Sequence, residues 1–407
     1  MFYDFPVGLT LDEVRRVVAD HNARLGEKFF IERDAGDHVI FNYVVSTPDS
    51  FPQPGADAAI SARDAAIIRE CRGLIFAKSG QLLARRWAKF FNVNEKPFTQ
   101  AHLIDWSQPH LVLEKLDGSM ITPFVSNSQL RWGTKMGATE VAGPVEEFVA
   151  QNPRYVTFAE EMMRCGLTPI FEWCSRKQKI VIDYPEDALI LTGLRSNETG
   201  LLLRYLDMVT WANQFMVPVV RALPGSIESI ETFMAEARDL VGAEGYIIRF
   251  ENGHQLKVKG AWYCAIHSTK DALQFEKNVW ALVLNDQMDD AMALMDAADR
   301  DRCERFIAAM NAEIRKTAEE LAIAVDAGAM MCMGDKKRFA TEFVKEWPEK
   351  TEVPLLFAIW DGHDPREVVR NYLKKHTSTL TRVNIARPMV NGLTWDDYRD
   401  RTLVLDD

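Results

Sequence analysis

Near the start of the chain, apolar residues recur at three- and four-residue steps, at Leu11, Val14, Val17 and Val18. This spacing predicts a helix with one buried face. Thr10 with Glu13 three residues on reads as its capping box, and the helix is expected to run to about Leu25. The stretch from Val45 to Ala58 carries three prolines and a glycine and predicts a loop. From Gly73 to about Lys259 the pattern changes to short apolar runs broken by turn residues: GLIFA, HLVLEKL, TPIFEWC, KIVID, ALILTGL, GLLLRYL, EGYIIRF and QLKVKG. Their length and β-branched content predict strands, several of them buried, with helices near 144–151 and 206–214 between them.

Beyond Lys259 no further strand is expected. Phe306, Ile307, Met310, Ile314, Leu321 and Val325 mark one face of a long helix ending near Gly328. Phe339, Phe343 and Val344 mark another, halted by Pro348. Asp364 and Pro365 read as an N-cap and first-turn proline ahead of Val368, Val369, Tyr372 and Leu373. The expected architecture is an α+β domain over residues 1–267 with a mainly antiparallel sheet, followed by an all-α domain over 268–407.

Composition narrows the function. With 47% hydrophobic and 26% charged residues in 407, wholesale disorder and collagen-like structure are excluded. The net charge is −11, and both parts are acidic: 28 basic against 33 acidic residues in 1–267, and 20 against 26 in 268–407. Bulk electrostatics therefore cannot hold nucleic acid, and a local groove or a bound metal would have to supply the positive field. The six cysteines include no CxxC pair and no histidine at zinc spacing, which argues against a disulfide framework or zinc site and for a reducing compartment. Neither a signal peptide nor an apolar run long enough to span a bilayer is visible. A soluble, cytoplasmic monomer is the expectation.

Candidate chemistry begins at LEKLDGSM, where Lys115 ends an apolar strand ahead of an Asp-Gly turn formed by Asp117 and Gly118. A lysine so placed can hold its amine at a pocket mouth, and as a nucleophile that amine must be neutral. A plain surface turn is the alternative. Downstream, Glu172 lies within the apolar run IFEW, where a carboxylate seldom stays without a partner. Glu244 precedes the strand YIIRF, as a magnesium ligand or as a solvated strand start. Lys257 and Lys259, two apart in QLKVKG, would place two cations on one face. That arrangement fits a bound phosphate, or else guard lysines on an exposed edge strand.

Lys115 in KLDGS, Glu172 in FEW, Glu244 in EGYII and the KVK pair occur in the order of the nucleotidyl-transfer motifs of covalent nucleotidyltransferases. The chain most resembles the bacteriophage RNA ligase 1 family, with supporting segments ECRGLIF around Arg72, RRWAKFFNVNE around Lys89, LRSNETG and KVKGAWYCAIHSTKD. The resemblance covers most of residues 40–271. It implies an ATP-dependent RNA ligase with a nucleotidyltransferase fold, sealing 5′-phosphate and 3′-hydroxyl RNA ends, with tRNA repair as the setting. Lys115 would take AMP from ATP, Glu172 would accept a hydrogen bond from the ribose, and Glu244 would bind magnesium. Two ions are expected, and manganese could replace them. Lys257 and Lys259 would hold the α-phosphate, while Arg72, Lys89 and Lys135 would orient the terminal phosphates. Glu114 and Gly118 join the nucleotide-binding set. The resemblance also implies an RNA partner, possible nicked tRNA substrates, and a bacterial host cytoplasm if the chain is phage-encoded.

A DNA ligase or capping enzyme of the same superfamily would usually carry an oligonucleotide-binding barrel after the KVK strand, where this chain turns helical. A catalytically inactive nucleic-acid-binding module would have no need of the nucleophile. No GxxxxGK[ST] loop is present, so end healing would fall to a separate polynucleotide kinase and phosphatase. His267 reads as packing, or as a cap on a helix starting near Ser268. Lys336, Lys337 and Arg338 read as a solvated helix start. Arg176, Lys177 and Lys179 lie near the presumed active face, as RNA-phosphate contacts or as solvated charge. The run AMMCM at 329–333 reads as core filler.

Overall fold

A computed structural model describes residues 2–398 apart from Val45, Pro48, Asp57, Leu294 and Asp296. Three positions of the expected 45–58 loop, and the chain end from 399, therefore lie outside the described residues. The chain divides into two units, with the boundary between Cys264 and Ala265. That is three residues before the position read from sequence, and it falls inside the helix Ala261–Leu273. No helix of the described residues is long and apolar enough to cross a membrane.

In the first unit, β1 (Phe30–Asp34), β2 (His38–Tyr43), β3 (Leu74–Ala77) and β4 (Leu82–Ala84) form one antiparallel sheet in that order. The strands β5 (Phe91–Asn92), β6 (His110–Lys115), β7 (Ser119–Ser126), β8 (Gln129–Gly133), β9 (Leu167–Cys174), β10 (Ala188–Ser196), β11 (Gly245–Phe250) and β12 (Gln255–Lys259) build two more. Their orders are β10-β9-β7-β8 and β5-β12-β11-β6. All pairings are antiparallel except that of β5 with β12. The predicted α+β class with mainly antiparallel pairing is thus found, split over three four-stranded sheets.

The first helix spans Leu11–Leu25; Thr10 accepts from the Glu13 amide and Gly26 ends it in the left-handed conformation. Two predicted strands are absent. KIVID runs irregularly because its amides at Val181 and Ile182 donate to the Asp117 carboxylate instead of to a neighbouring strand. GLLLRYL makes one isolated bridge, Arg195 to Leu202, before Tyr205 opens a helix.

The core of the first unit is pinned by a buried ionic knot. Glu70 takes Arg85 at 2.8 Å and Arg195 at 2.7 Å, all three side chains essentially inaccessible. Arg85 also donates to the Pro6 carbonyl, so the knot ties the N-terminal segment to two sheets.

The second unit is helical. Its long helix, Ala297–Met331, buries Phe306, Met310, Ile314, Leu321 and Val325 on one face, following the predicted steps. Asp364 caps Pro365–Lys374 by accepting from the Glu367 amide. Two local readings change. The run at 329–333 is not core: Met330, Met331 and Met333 are 81%, 59% and 80% exposed, and only Cys332 is buried. His267 is not at a helix start, because the helix begins seven residues earlier than Ser268; it lies within that helix and pairs with Asp271 one turn on.

Candidate active site

The reactive row is set by strand register. In the sheet β12-β11-β6, Gly245 lies directly opposite Lys259 on one side and Lys115 on the other. Gly245 has φ +146°, and a Cβ there would collide with the Val258 carbonyl, so only glycine fits. With no side chain between them, both lysines reach the same oxygen. Lys115 Nζ is 2.7 Å and Lys259 Nζ 3.2 Å from Glu244 Oε1. The next row on this face is Leu113, Ile247 and Lys257. β12 is held between β11 and β5, which removes the reading of its lysines as guards on an exposed edge.

The facing sheet brings Glu172. It lies opposite Met120 on β7 and Ile190 on β10, and Ile190 packs with Leu113 and Ile247 in one cluster. The two sheets therefore meet over an apolar floor with charges at one end. Gly118 makes the approach possible, since a Cβ there would strike the Trp173 carbonyl and crowd the Glu172 side chain.

The electrostatics are divided. Burial lowers the Lys115 ammonium pKa, but Glu244 and then Glu172 outweigh it and hold the amine charged, above its ordinary range. These carboxylates thus work against the neutral form that a nucleophilic amine needs. Glu172 is pushed up to about 7, first by burial and against the pull of Lys115. Lys257 is driven well below its usual value by burial and by Arg72, Lys115, Lys89 and Lys259.

Among the described residues, Lys257, Arg72 and Lys89 have no carboxylate within ion-pair distance. Arg72 instead points Nη1 at the Met120 sulfur, 3.6 Å away. Lys89 and Lys135 lie over the Tyr43 ring, with Nζ 4.7 and 5.3 Å from its centroid. Burial would raise the Tyr43 phenol, yet Arg72, Lys89 and Lys135 pull it below its usual value. A concentration of half-buried cations of this kind suits an anion.

The structure thus brings together Arg72, Lys89, Lys115, Gly118, Lys135, Glu172, Glu244, Lys257 and Lys259. The Glu114 side chain is the exception. Strand alternation turns it to the opposite face, where it lies opposite Tyr246 and 3.6 Å from Arg221. Any nucleotide contact from Glu114 would have to come from its backbone.

Sequence reasoning gave no role to three tyrosines. Asp117, buried behind the nucleophile turn, accepts from Val181 N, Ile182 N and Tyr263 Oη at 2.8, 2.6 and 2.7 Å, and its own amide donates to Tyr184 Oη. Tyr263 also places its ring 5.2 Å from Lys259 Nζ. The KVKGAWY segment contains Tyr263, four residues after Lys259, but no local pattern ties it to Asp117. Tyr43 is on a different sheet and gives no signal at all.

No group of three or more His, Cys, Asp or Glu side chains is set to hold a metal among the described residues. With the Asp117 carboxylate already accepting from two amides and a phenol, Glu244 is the carboxylate nearest the cations. One carboxylate completed by phosphate oxygens and water is a donor set that suits magnesium.

A family model described as RNA ligase matches residues 70–263, a span holding every candidate except Tyr43. A Thermovibrio ammonificans protein named "Putative RNA ligase" is 30% identical over 281 residues, 66% of this chain and 68% of that one. RNA ligase 1 of bacteriophage TS2126 is 27% identical over 254 residues, 59% of each chain. A Naegleria gruberi RNA ligase structure with pyrophosphate aligns over 40% of this chain and 52% of that one, at 18% identity and a TM-score of 0.34. This chain accordingly spans little more than half the length of the phage and Naegleria ligases. Identity over two thirds of the Thermovibrio chain, together with the matched motifs, shows that the chain belongs to the RNA ligase family of the phage RNA ligase 1 type.

Proposed function

We propose that this chain is an ATP-dependent RNA ligase joining a 5′-phosphate to a 3′-hydroxyl. The observation that carries the reading is the row Lys115–Gly245–Lys259 closed on Glu244, beside Lys257, Arg72 and Lys89, which meet no carboxylate among the described residues. The Lys115 ammonium gives its proton to solvent, and the free amine attacks the α-phosphate of ATP. A nitrogen–phosphorus bond forms, the bond to the β-phosphate oxygen breaks, and pyrophosphate leaves. Lys257 and Lys259 hold the α-phosphate as charge builds on it, while Arg72, Lys89 and Lys135 hold the departing pyrophosphate. The positive potential of this group opposes the hold of Glu244 and Glu172 on the ammonium and so favours the neutral amine.

Glu172 receives the ribose hydroxyl. Magnesium, or manganese, held by Glu244 with the phosphates would neutralise their charge, with two ions as the expected number. AMP then passes to the RNA 5′-phosphate, and the 3′-hydroxyl displaces it to seal the strand. Nicked tRNA in a bacterial cytoplasm, with ends healed by a separate kinase and phosphatase and the ligase acting as a monomer, completes the reading.

The test uses the whole chain with magnesium and ATP labelled at the α-phosphate. An acid-labile protein adduct should form and should be absent in Lys115→Ala. Label surviving that substitution would sink the assigned nucleophile, and no label on the natural chain would favour a binding module. Sealing of 5′-phosphate RNA over DNA ends then distinguishes the polymer.

A further inference from the structure

The chain is acidic in both halves, so any RNA strand must be held by charge placed locally. The cations around Lys115 serve the nucleotide, which leaves the strand delivering the 5′-phosphate without a partner. The segment between β9 and β10 supplies one. It leaves β9 at Cys174, next to Trp173, which pairs with Ser119 at the far side of the nucleophile turn. Its path is fixed by side-chain to backbone bonds. Ser175 Oγ accepts from the Lys177 and Gln178 amides at 3.2 Å, and Asp187 accepts from the Arg176 amide at 2.8 Å. Gln178 accepts from the Trp173 indole at 3.0 Å, and Asp117 accepts from the Val181 and Ile182 amides.

A segment pinned this closely presents Arg176 and Lys177 to solvent. Among the described residues, neither side chain meets a carboxylate. Of the other basic groups singled out in the sequence, Lys179 pairs with Asp183, Lys336 with Asp361, and Arg338 with Glu342.

We infer that Arg176 and Lys177 form the phosphate-contacting surface for the RNA strand whose 5′-phosphate receives AMP. The inference rests on the ligase reading above. Fixing the loop through Asp117, two residues from the nucleophile, sets the register between bound backbone phosphates and Lys115. Two cations held on an ordered loop lose less entropy on binding than mobile ones. They contact backbone and not bases, so the surface is indifferent to sequence.

The experiment compares the natural chain, Arg176→Ala/Lys177→Ala, the single variant Arg176→Gln, and Lys336→Ala/Lys337→Ala as a basic-charge control. Three quantities are read: labelling by α-labelled ATP, the KM for AMP transfer to a 5′-phosphate oligoribonucleotide, and the slope of log(1/KM) against log salt. The double variant should keep its labelling, raise the RNA KM about tenfold near 0.1 M salt, and flatten the slope by about 1.4, or roughly 0.7 for each single-strand phosphate that is no longer neutralised. Arg176→Gln should flatten it by about half as much, and the control should match the natural chain. Normal labelling with an unchanged RNA KM and slope would overturn the inference, as would an equal effect in the control. Absence of labelling in the natural chain would instead overturn the ligase reading itself.

Discussion

Lys115, Glu244 and Glu172 form a coupled set in which each charge shifts the protonation of the others, and under the proposed reaction that protonation governs the first step. Glu244 stabilises the Lys115 ammonium, so the amine must give up a proton before it can act as a nucleophile. Glu172, at about 7, must be ionised to accept a hydrogen bond from ribose most strongly. Labelling by ATP should therefore rise between pH 6 and 8, and Glu172→Gln should remove the inflection near 7 while lowering the rate overall. The check is the initial labelling rate across that range; an unchanged inflection in the variant would assign it elsewhere. Glu244→Gln should reduce labelling by on the order of 100-fold, measured at saturating ATP, because it leaves two lysines facing a neutral amide and removes the carboxylate expected to meet the metal. The residue types in these roles were legible in the sequence because the chemistry narrows the choice to few side chains. The charge on Lys115 was not, since it follows from a 2.7 Å contact with a residue 129 positions away.

Strands and turns carry the site only because two glycines let them. Gly245 occupies a backbone conformation closed to other residues and lies against a carbonyl. Gly245→Ala should destabilise the first unit by about 3 kcal/mol or more, seen as a lower unfolding midpoint in denaturant, whereas alanine at the open turn position Gly80 should cost less. The strands β6, β9, β10, β11 and β12 could be read from their apolar runs. KIVID could not, because the same short β-branched run that marks a strand also appears in a segment whose amides are claimed by a distant carboxylate. GLLLRYL failed for a related reason: a run of leucines gives no direction between strand and helix, and its last two residues, Tyr205 and Leu206, join a helix packed on β10. The methionines at 330, 331 and 333 show the same weakness from the other side, since apolar composition at a helix end does not say whether anything covers it.

For the molecule as a whole, the buried Glu70–Arg85–Arg195 knot joins the N-terminal segment and two sheets. Burial raises the Glu70 carboxyl pKa, but the two guanidinium groups more than offset it and hold the group below its ordinary value. A carboxylate depressed in the folded state contributes stability above its unfolded pKa of about 4.5 and loses it as pH falls through the folded value. Acid unfolding of the natural chain should therefore steepen below about pH 4.5. Glu70→Gln should lose about 3–5 kcal/mol at neutral pH by leaving two buried cations unpaired, and should show a weaker acid dependence, both measurable by denaturant titration. By itself the sequence determined the order of the candidate motifs and the change from strands to helices, because motif order and hydrophobic period are properties of neighbouring residues. Only the tertiary structure decided that Lys115 and Lys259 share one carboxylate oxygen across Gly245, that Tyr43 and Tyr263 belong to the site, and that Glu114 turns away from it. Register, burial and local potential arise when strands far apart in the chain pair, and no stretch of sequence contains them.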